Sequence, residues 1–174
     1  MAYLLDTDTF IQAKNLHYGF DFCPGFWDWL VREHAAGRVF SIEKVGDELQ
    51  AGTDDLATWA QVRGTSFFLP PDSQTLPALG KMSTWVSSHN YAPAAVNGFL
   101  QVADYYLVAQ ALALGHTVIT HARPAPQSVR KIKIPDVCIG LGVKCMSPFE
   151  MLRKERARFV LAGVHHLPSS GQHD

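Results

Sequence analysis

Short apolar segments and longer amphipathic segments alternate along this chain, and the alternation predicts an α/β fold. Residues 2–5 and 117–120 are apolar and stop at polar residues, as buried strands of a parallel sheet do. Further short strands are predicted at residues 38–41 and 143–146, while residues 66–69 form either a strand or an extended arm. A helix, a glycine and then the apolar strand 117–120 follow one another in the order of an α/β crossover unit.

Glycine, proline and capping residues divide the rest of the chain into helices and loops. Helices are predicted at residues 26–36, 42–51, 56–63, 73–89 and 99–114, with a turn or short helix at 134–139. Ser147 and Glu150 have the spacing of a capping box that opens a terminal helix. Loops are predicted at residues 90–98 and 122–133. Residues 1–165 are therefore expected to form one domain, and residues 166–174 a frayed, disordered tail.

Composition narrows the class of protein. Hydrophobic residues make up 47% of the 174 residues and charged residues 18%, which supports a folded core. The net charge of −1 argues against strong bulk attraction to nucleic acid, so a nucleic-acid substrate would need a local basic patch or a bridging metal ion. Neither a signal peptide nor a membrane-spanning segment is predicted, and the expected location is the cytoplasm. Three cysteines without regular spacing predict neither a disulfide framework nor a zinc site.

Acidic residues at four places suggest a metal site. Asp6 ends the first strand, Glu48 lies in the helix after the second strand, Asp104 lies early in helix 99–114, and Asp136 follows the loop 122–133. Ligands of parallel α/β sheets bind at the carboxyl ends of the strands, where Asp6 is placed. Several carboxylates at such an edge suit Mg²⁺ or Mn²⁺, which could bind a phosphodiester and activate water.

The helix pattern places Glu48 and Asp104 at the border of the buried face. Glu48 directly precedes apolar Leu49, and Asp104 precedes the apolar pair at 107–108. A carboxylate at such a border is costly unless it is paired or coordinated. Each residue taken singly has a simpler interpretation, namely a surface charge or cap for the two helical residues and a turn for Asp6.

Three motifs in this order resemble those of the PIN-domain ribonucleases. The first is the opening Leu-Leu-Asp-Thr-Asp at residues 4–8, and the second is Ser41 followed by Glu-Leu-Gln-Ala-Gly at 48–52. The third is Asp104 leading into an alanine-rich helix, Gly115 and a strand that ends at Thr120. The chain is still more similar to the PIN-like family DUF4411, through the aromatic helix that contains residues 26–30 and the segment Lys-Ile-Pro-Asp-Val-Cys at 133–138.

The resemblance implies a three-layer α/β/α sandwich with a central, mainly parallel sheet of four to five strands. It also implies that Asp6, Glu48 and Asp104 are catalytic metal ligands for Mg²⁺ or Mn²⁺ in an endoribonuclease. Many PIN proteins are toxins of bacterial toxin–antitoxin pairs that cleave RNA, are neutralised by a cognate antitoxin, and form homodimers. The resemblance therefore implies an RNA substrate, an antitoxin partner and a homodimer.

This chain departs from the PIN pattern at the fourth acidic residue. The position after the strand ending at Thr120 holds His121-Ala122-Arg123 instead. Asp136 could substitute as a metal ligand, or His121 could bind the metal or a phosphate, while Asp8 could accept hydrogen bonds behind the ligands.

Basic side chains beside the predicted site are candidates for binding phosphate, with a solvated loop as the alternative. Candidates for supporting or phosphate-binding roles are Asp8, Ser41, Thr120, His121, Arg123, Arg130, Lys131 and Lys133. The tryptophans are expected to pack in the core rather than to stack on bases.

Two other functions remain open from the sequence. Asp6-Thr7-Asp8-Thr9 resembles the opening of haloacid dehalogenase-like phosphatases, in which Asp6 would be the nucleophile and Asp8 the acid/base. In that hypothesis Thr120 would bind the phosphate, but Glu48 and Asp104 would have no role. The third hypothesis is a catalytically degenerate module that binds RNA or a partner without cleaving it.

Overall fold

The computed structural model of the protein describes residues 1–163. The strands are β1 (Tyr3–Leu5), β2 (Val39–Ile42), β3 (Phe68–Leu69), β4 (Thr117–Ile119) and β5 (Cys145–Met146). The helices are α1 (Thr7–Gln12), α2 (Pro24–Ala35), α3 (Glu43–Gln50), α4 (Asp55–Phe67), α5 (Thr75–Ser88), α6 (Pro93–Phe99), α7 (Ala103–Leu114), α8 (Ile134–Leu141) and α9 (Pro148–Lys154). The predicted domain end at residue 165 and the predicted tail 166–174 lie outside the described residues.

The five strands form one all-parallel sheet in the order β3-β2-β1-β4-β5, flanked by helices. This confirms the predicted α/β class and PIN-like sheet. β1 lies at the centre and is buried along its whole length, which explains why its sequence is uniformly apolar rather than alternating. Its residue Leu5 is in register with Ile119 of β4, so both strands end at the same edge of the sheet.

Local signals fix several of the element ends. Asp54 caps α4 by accepting a hydrogen bond from the Ala57 amide at 3.0 Å. Ser147 and Glu150 form the predicted capping box at the start of α9. Gly115 ends α7 with a φ of 67°, a left-handed conformation in which glycine avoids the strain of a Cβ atom.

Two segments differ from the expectations. Residues 90–98, predicted as a loop, contain most of α6, because Pro93 occupies its first turn and Ala94 and Ala95 favour the helix despite the nearby Asn97 and Gly98. The chain after Asp6 turns at once into α1 and then into a π-helical turn, Ala13–His17, neither of which the pattern indicated. This second difference matters for function because it places Thr7 and Asp8 in the first turn of a helix at the sheet edge.

Among residues 1–163, no helix combines the length and the apolar character that a membrane crossing requires.

Candidate metal centre

Asp6 lies at the carboxyl end of the central strand and is only 5% exposed. Its amide donates to the Ile119 carbonyl at 2.9 Å, which extends the pairing of β1 with β4 by one residue. Its carboxylate atom Oδ2 accepts a hydrogen bond of 2.7 Å from the Thr120 hydroxyl, and the Ala122 amide in turn donates to that hydroxyl at 3.1 Å. The Asp6 side chain is therefore held at the carboxyl edge of the sheet by Thr120, and its role is more than that of a turn residue.

The pKa of the Asp6 carboxyl is raised to about 7, mainly by burial and next by the negative charge of Asp104. The charge of Asp8 acts in the same direction, while the hydrogen bond from Thr120 opposes the rise. A carboxyl group in this condition carries a proton or needs a cation near neutral pH.

Asp104 lies in the first turn of α7 and is half-buried. Its pKa is raised by burial, then by the charges of Glu48 and Asp8, and Lys133 acts in the opposite direction. These electrostatic couplings link Asp6, Asp8, Glu48 and Asp104 into one cluster, which we call the acidic cluster.

Glu48 reaches the acidic cluster from α3, where its neighbours Val45 and Leu49 are buried and Glu48 itself is exposed. Its Oε2 atom accepts a hydrogen bond of 2.5 Å from the hydroxyl of Thr7. Thr7 was not among the residues singled out from the sequence. The first turn of α1 positions it, and α1 was itself not predicted.

No cation among residues 1–163 forms an ion pair with the acidic cluster. In the part of the chain that the structure describes, the ion pairs involve Lys14, Arg32 and Arg38, and none reaches Asp6, Glu48 or Asp104. Residues 1–163 also contain no group of three or more His, Cys, Asp or Glu side chains already arranged to hold one metal ion. Asp6 and Glu48 each accept a hydrogen bond from a threonine hydroxyl through one carboxylate oxygen.

The donor set fits a hard divalent cation. It consists of carboxylate oxygens, the ligand type of Mg²⁺ and Mn²⁺, and burial followed by mutual repulsion raises the pKa values of Asp6 and Asp104. A bound cation would attract these carboxylates and so offset the repulsion between them.

Asp136 has a different environment. Both of its carboxylate oxygens accept hydrogen bonds from the Ala125 amide, at 3.2 and 2.9 Å, which ties the loop before α8 to the start of that helix. Its charge raises the pKa of Tyr91 and is not among the causes that shift Asp6 or Asp104. Its role as a fourth metal ligand stays a prediction.

Basic residues lie on one side of the acidic cluster. Arg130, Lys131 and Lys133 line a cavity of about 310 Å³ together with Asp104. Ser41 has a more local role, because it is fully buried and its hydroxyl donates to the Leu5 carbonyl at 2.5 Å, joining β2 to the end of β1.

His121 and Arg123 lie on another side of the acidic cluster, where they line a cavity of about 400 Å³ with Thr120. The pKa of His121 is lowered by burial and by the nearby His17, and the charge of Asp8 opposes this. His17, in the π-helical turn, is a further residue that the sequence pattern did not indicate.

The topology and the acidic cluster define a PIN-like α/β protein with a candidate metal centre at the sheet edge. Over 84% of its length the chain superposes, with a TM-score of 0.52 and 15% identity, on 98% of a chain in the crystal structure of VapBC2 from Rickettsia felis bound to a DNA fragment from their promoter. Identity this low shows a similar fold only.

Residues 3–159 match the domain of unknown function DUF4411, so the chain belongs to the DUF4411 family. This confirms the resemblance seen in the motifs. No curated protein sequence matches the chain.

Proposed function

We propose that this protein is a Mg²⁺- or Mn²⁺-dependent endoribonuclease whose active site is the acidic cluster. The observation that carries the proposal is the state of Asp6: a buried carboxyl with a pKa of about 7, next to a second carboxylate and without an ion-paired cation among residues 1–163. Such a group is costly unless something external neutralises it, and perturbed carboxyls of this kind cluster at functional sites.

The residues divide the work of hydrolysis between them. Asp6, Glu48 and Asp104 would hold the cation, with Asp136 as a further candidate ligand. Thr120 and Thr7 orient the carboxylates of Asp6 and Glu48 through their hydroxyl groups. When bound, the cation would supply a Lewis acid that offsets the charge of the phosphodiester and lowers the pKa of the attacking water.

The basic cavity beside Asp104 supports a polyanionic substrate. Lys133 is close enough to the acidic cluster to lower the pKa of Asp104. Arg130 and Lys131 line the same cavity as Lys133 and Asp104. Cations at this distance attract and position a phosphate backbone without reading its sequence, which supplies the local basic patch that the near-zero net charge requires.

The same proposal includes a toxin role with a protein partner. The support is the fold shared with a chain of a VapBC2 complex. A cognate antitoxin would neutralise the protein by covering the acidic cluster, and a homodimer remains part of the proposal.

The test is cleavage of single-stranded RNA by the full chain with Mn²⁺ or Mg²⁺. We expect activity that EDTA abolishes and that Asp6→Asn lowers about a hundredfold or more, because a neutral amide cannot replace a carboxylate ligand. Asp47→Asn, an exposed carboxylate on the same helix as Glu48, is the matched control and should keep full activity. The product of the neighbouring open reading frame, added to the same assay, should suppress cleavage.

Other outcomes identify the alternatives. Equal cleavage by wild type and Asp6→Asn would exclude the metal role of Asp6. Turnover of a simple phosphate monoester with a trapped aspartyl-phosphate mimic on Asp6 would favour the phosphatase hypothesis. Tight RNA binding without cleavage in any metal would favour the degenerate binding module.

A further inference from the structure

We propose that the cavity between Thr120 and Phe149 is a nucleobase-binding subsite, which holds one base of single-stranded RNA next to the acidic cluster. We call this cavity the base pocket. It is lined by Thr120, His121, Arg123, Ile139, Met146 and Phe149, among others, and has a volume of about 400 Å³. This inference rests on the proposed function for the identity of the polymer.

The position of the base pocket follows from the sheet. Thr120, on its wall, is the residue whose hydroxyl donates to Asp6, so the pocket opens directly beside the candidate metal centre. The basic cavity shares Asp104 with the acidic cluster in the same way. A strand whose phosphate lies at the acidic cluster would therefore have both the cations of the basic cavity and the base pocket next to it.

The walls of the base pocket suit a flat aromatic ligand. His121 and Phe149, which both line the cavity, contact each other edge to face, with 5.5 Å between the ring centroids and 65° between the ring planes. His17 packs on both, 5.6 Å from His121 and 5.1 Å from Phe149, and so holds the two rings in place. Ile139, 72% exposed, and Met146 add apolar surface. Aromatic rings of this kind bind bases by stacking, whatever the base.

A base fits this pocket better than a phosphate does. The aromatic rings of His121 and Phe149 provide surface for stacking rather than for binding a phosphate. Arg123 is the lining residue that carries a fixed positive charge, and Glu150 carries a negative one. The volume lies within the range of small-ligand sites, roughly 300–1,000 Å³.

The experiment compares two ligands of equal charge. One is a fluorescein-labelled single-stranded RNA heptamer, and the other is the same ribose-phosphate chain without bases. Binding to the full chain is measured by fluorescence anisotropy in EDTA, so that cleavage does not interfere. We expect wild type to bind the RNA more tightly, and Phe149→Ala to weaken RNA binding roughly five- to hundredfold while leaving the abasic ligand unchanged.

The controls separate stacking from folding and from charge. Phe149→Tyr keeps the ring and should bind the RNA as wild type does. Phe22→Ala removes an exposed phenylalanine that lines a different cavity, and should change neither affinity. Lys131→Ala should weaken both ligands by the same factor, because it acts on the backbone.

Two results would overturn the base pocket: equal affinity of wild type for the two ligands, including no binding of either, or an equal loss of both affinities in Phe149→Ala. Base-dependent binding without metal-dependent cleavage would leave the subsite standing and reject the nuclease. If cleavage needs Asp6 but Phe149→Ala binds RNA as wild type does, the nuclease would stand and the base pocket would be rejected.

Discussion

The two ends of the central sheet each bury one carboxylate, and the two carboxylates are treated in opposite ways. Glu33, which precedes β2 at the amino end, is 3% exposed, and Asp6, which follows β1 at the carboxyl end, is 5% exposed. Glu33 accepts from Arg38 Nε at 2.5 Å and pairs with Arg32 at 3.3 Å, so its pKa is lowered. The pKa of Asp6 is raised to about 7, first by burial and then by the negative charges of Asp104 and Asp8.

Similar solvent exposure therefore accompanies opposite pKa shifts, because Asp6 lies deeper in the protein and among negative charges while Glu33 lies beside two arginines. At the amino end the chain completes its own ion pairs, and the Arg38 amide also donates to the Glu33 carbonyl. At the carboxyl end the chain gathers Asp6, Asp8, Glu48 and Asp104, and the described residues supply threonine hydroxyl groups there but no ion pair. This contrast supports the proposal that Asp6, unlike Glu33, binds an external cation.

The largest expected effect comes from removing the unneutralised charge. In EDTA at pH 8, Asp6→Asn should raise the free energy of unfolding by on the order of 2–4 kcal/mol, because the ionised carboxyl no longer has to be buried. The folded-state pKa lies above the unfolded one, so the cost of wild-type Asp6 grows as pH rises from about 4 to 7 and is complete above that. The gain in the variant should accordingly disappear near pH 4 in urea unfolding curves.

Asp47→Asn is the control for this prediction, since it removes an exposed charge of the same type and should stay within about 0.5 kcal/mol of wild type. Saturating Mn²⁺ should cancel the advantage of Asp6→Asn by stabilising wild type alone. If Asp6→Asn is less stable than wild type at pH 8 without metal, the acidic cluster is not under electrostatic strain.

Much of this arrangement could be predicted from the sequence, because the signals were local. The buried strands β1 and β4 are continuous apolar runs, and the polar residues that follow them mark the sheet edge. The placement of Asp6 and Asp104 near one another follows from those strand ends and from the helix that leads into β4. The coupling between their charges in the structure accords with that placement.

The remaining parts of the site depend on packing between distant segments, which periodicity does not encode. Thr7 meets Glu48 across 41 residues of sequence, and His17 meets His121 and Phe149 from a π-helical turn. Asp136 is equally instructive: its place after the loop makes it a candidate ligand, which stays a prediction, and the structure adds that its oxygens accept from a loop amide. An acidic residue two or three positions into a helix can serve either as a metal ligand or as the acceptor of a backbone amide, and only the fold shows which partners surround it.

The next effect in size concerns the hydroxyl group that favours the charged form of Asp6. Thr120→Val keeps the shape of the side chain but removes the donor at 2.7 Å, so the pKa of Asp6 should rise further. Mn²⁺ affinity at pH 7, measured by electron paramagnetic resonance titration, should fall about three- to tenfold because protons compete better for the carboxylate. The deficit should shrink at pH 9, where Asp6 is ionised in both proteins. A deficit of the same size at both pH values would mean that Thr120 acts on the site by packing alone.

The smallest effect is expected at the amino end, where the charge is already neutralised. Glu33→Gln should lower the free energy of unfolding at pH 7 by about 1 kcal/mol, a modest value because both arginine partners are largely in solvent. The pKa of Glu33 is lowered on folding, so its contribution is present above about pH 4.5 and is lost as pH falls through the folded-state value. The loss in Glu33→Gln should therefore fade in acid, and added Mn²⁺ should leave it unchanged. Opposite signs for Asp6→Asn and Glu33→Gln at neutral pH, with only the first sensitive to Mn²⁺, would establish that the two ends of one sheet use buried carboxylates for different purposes.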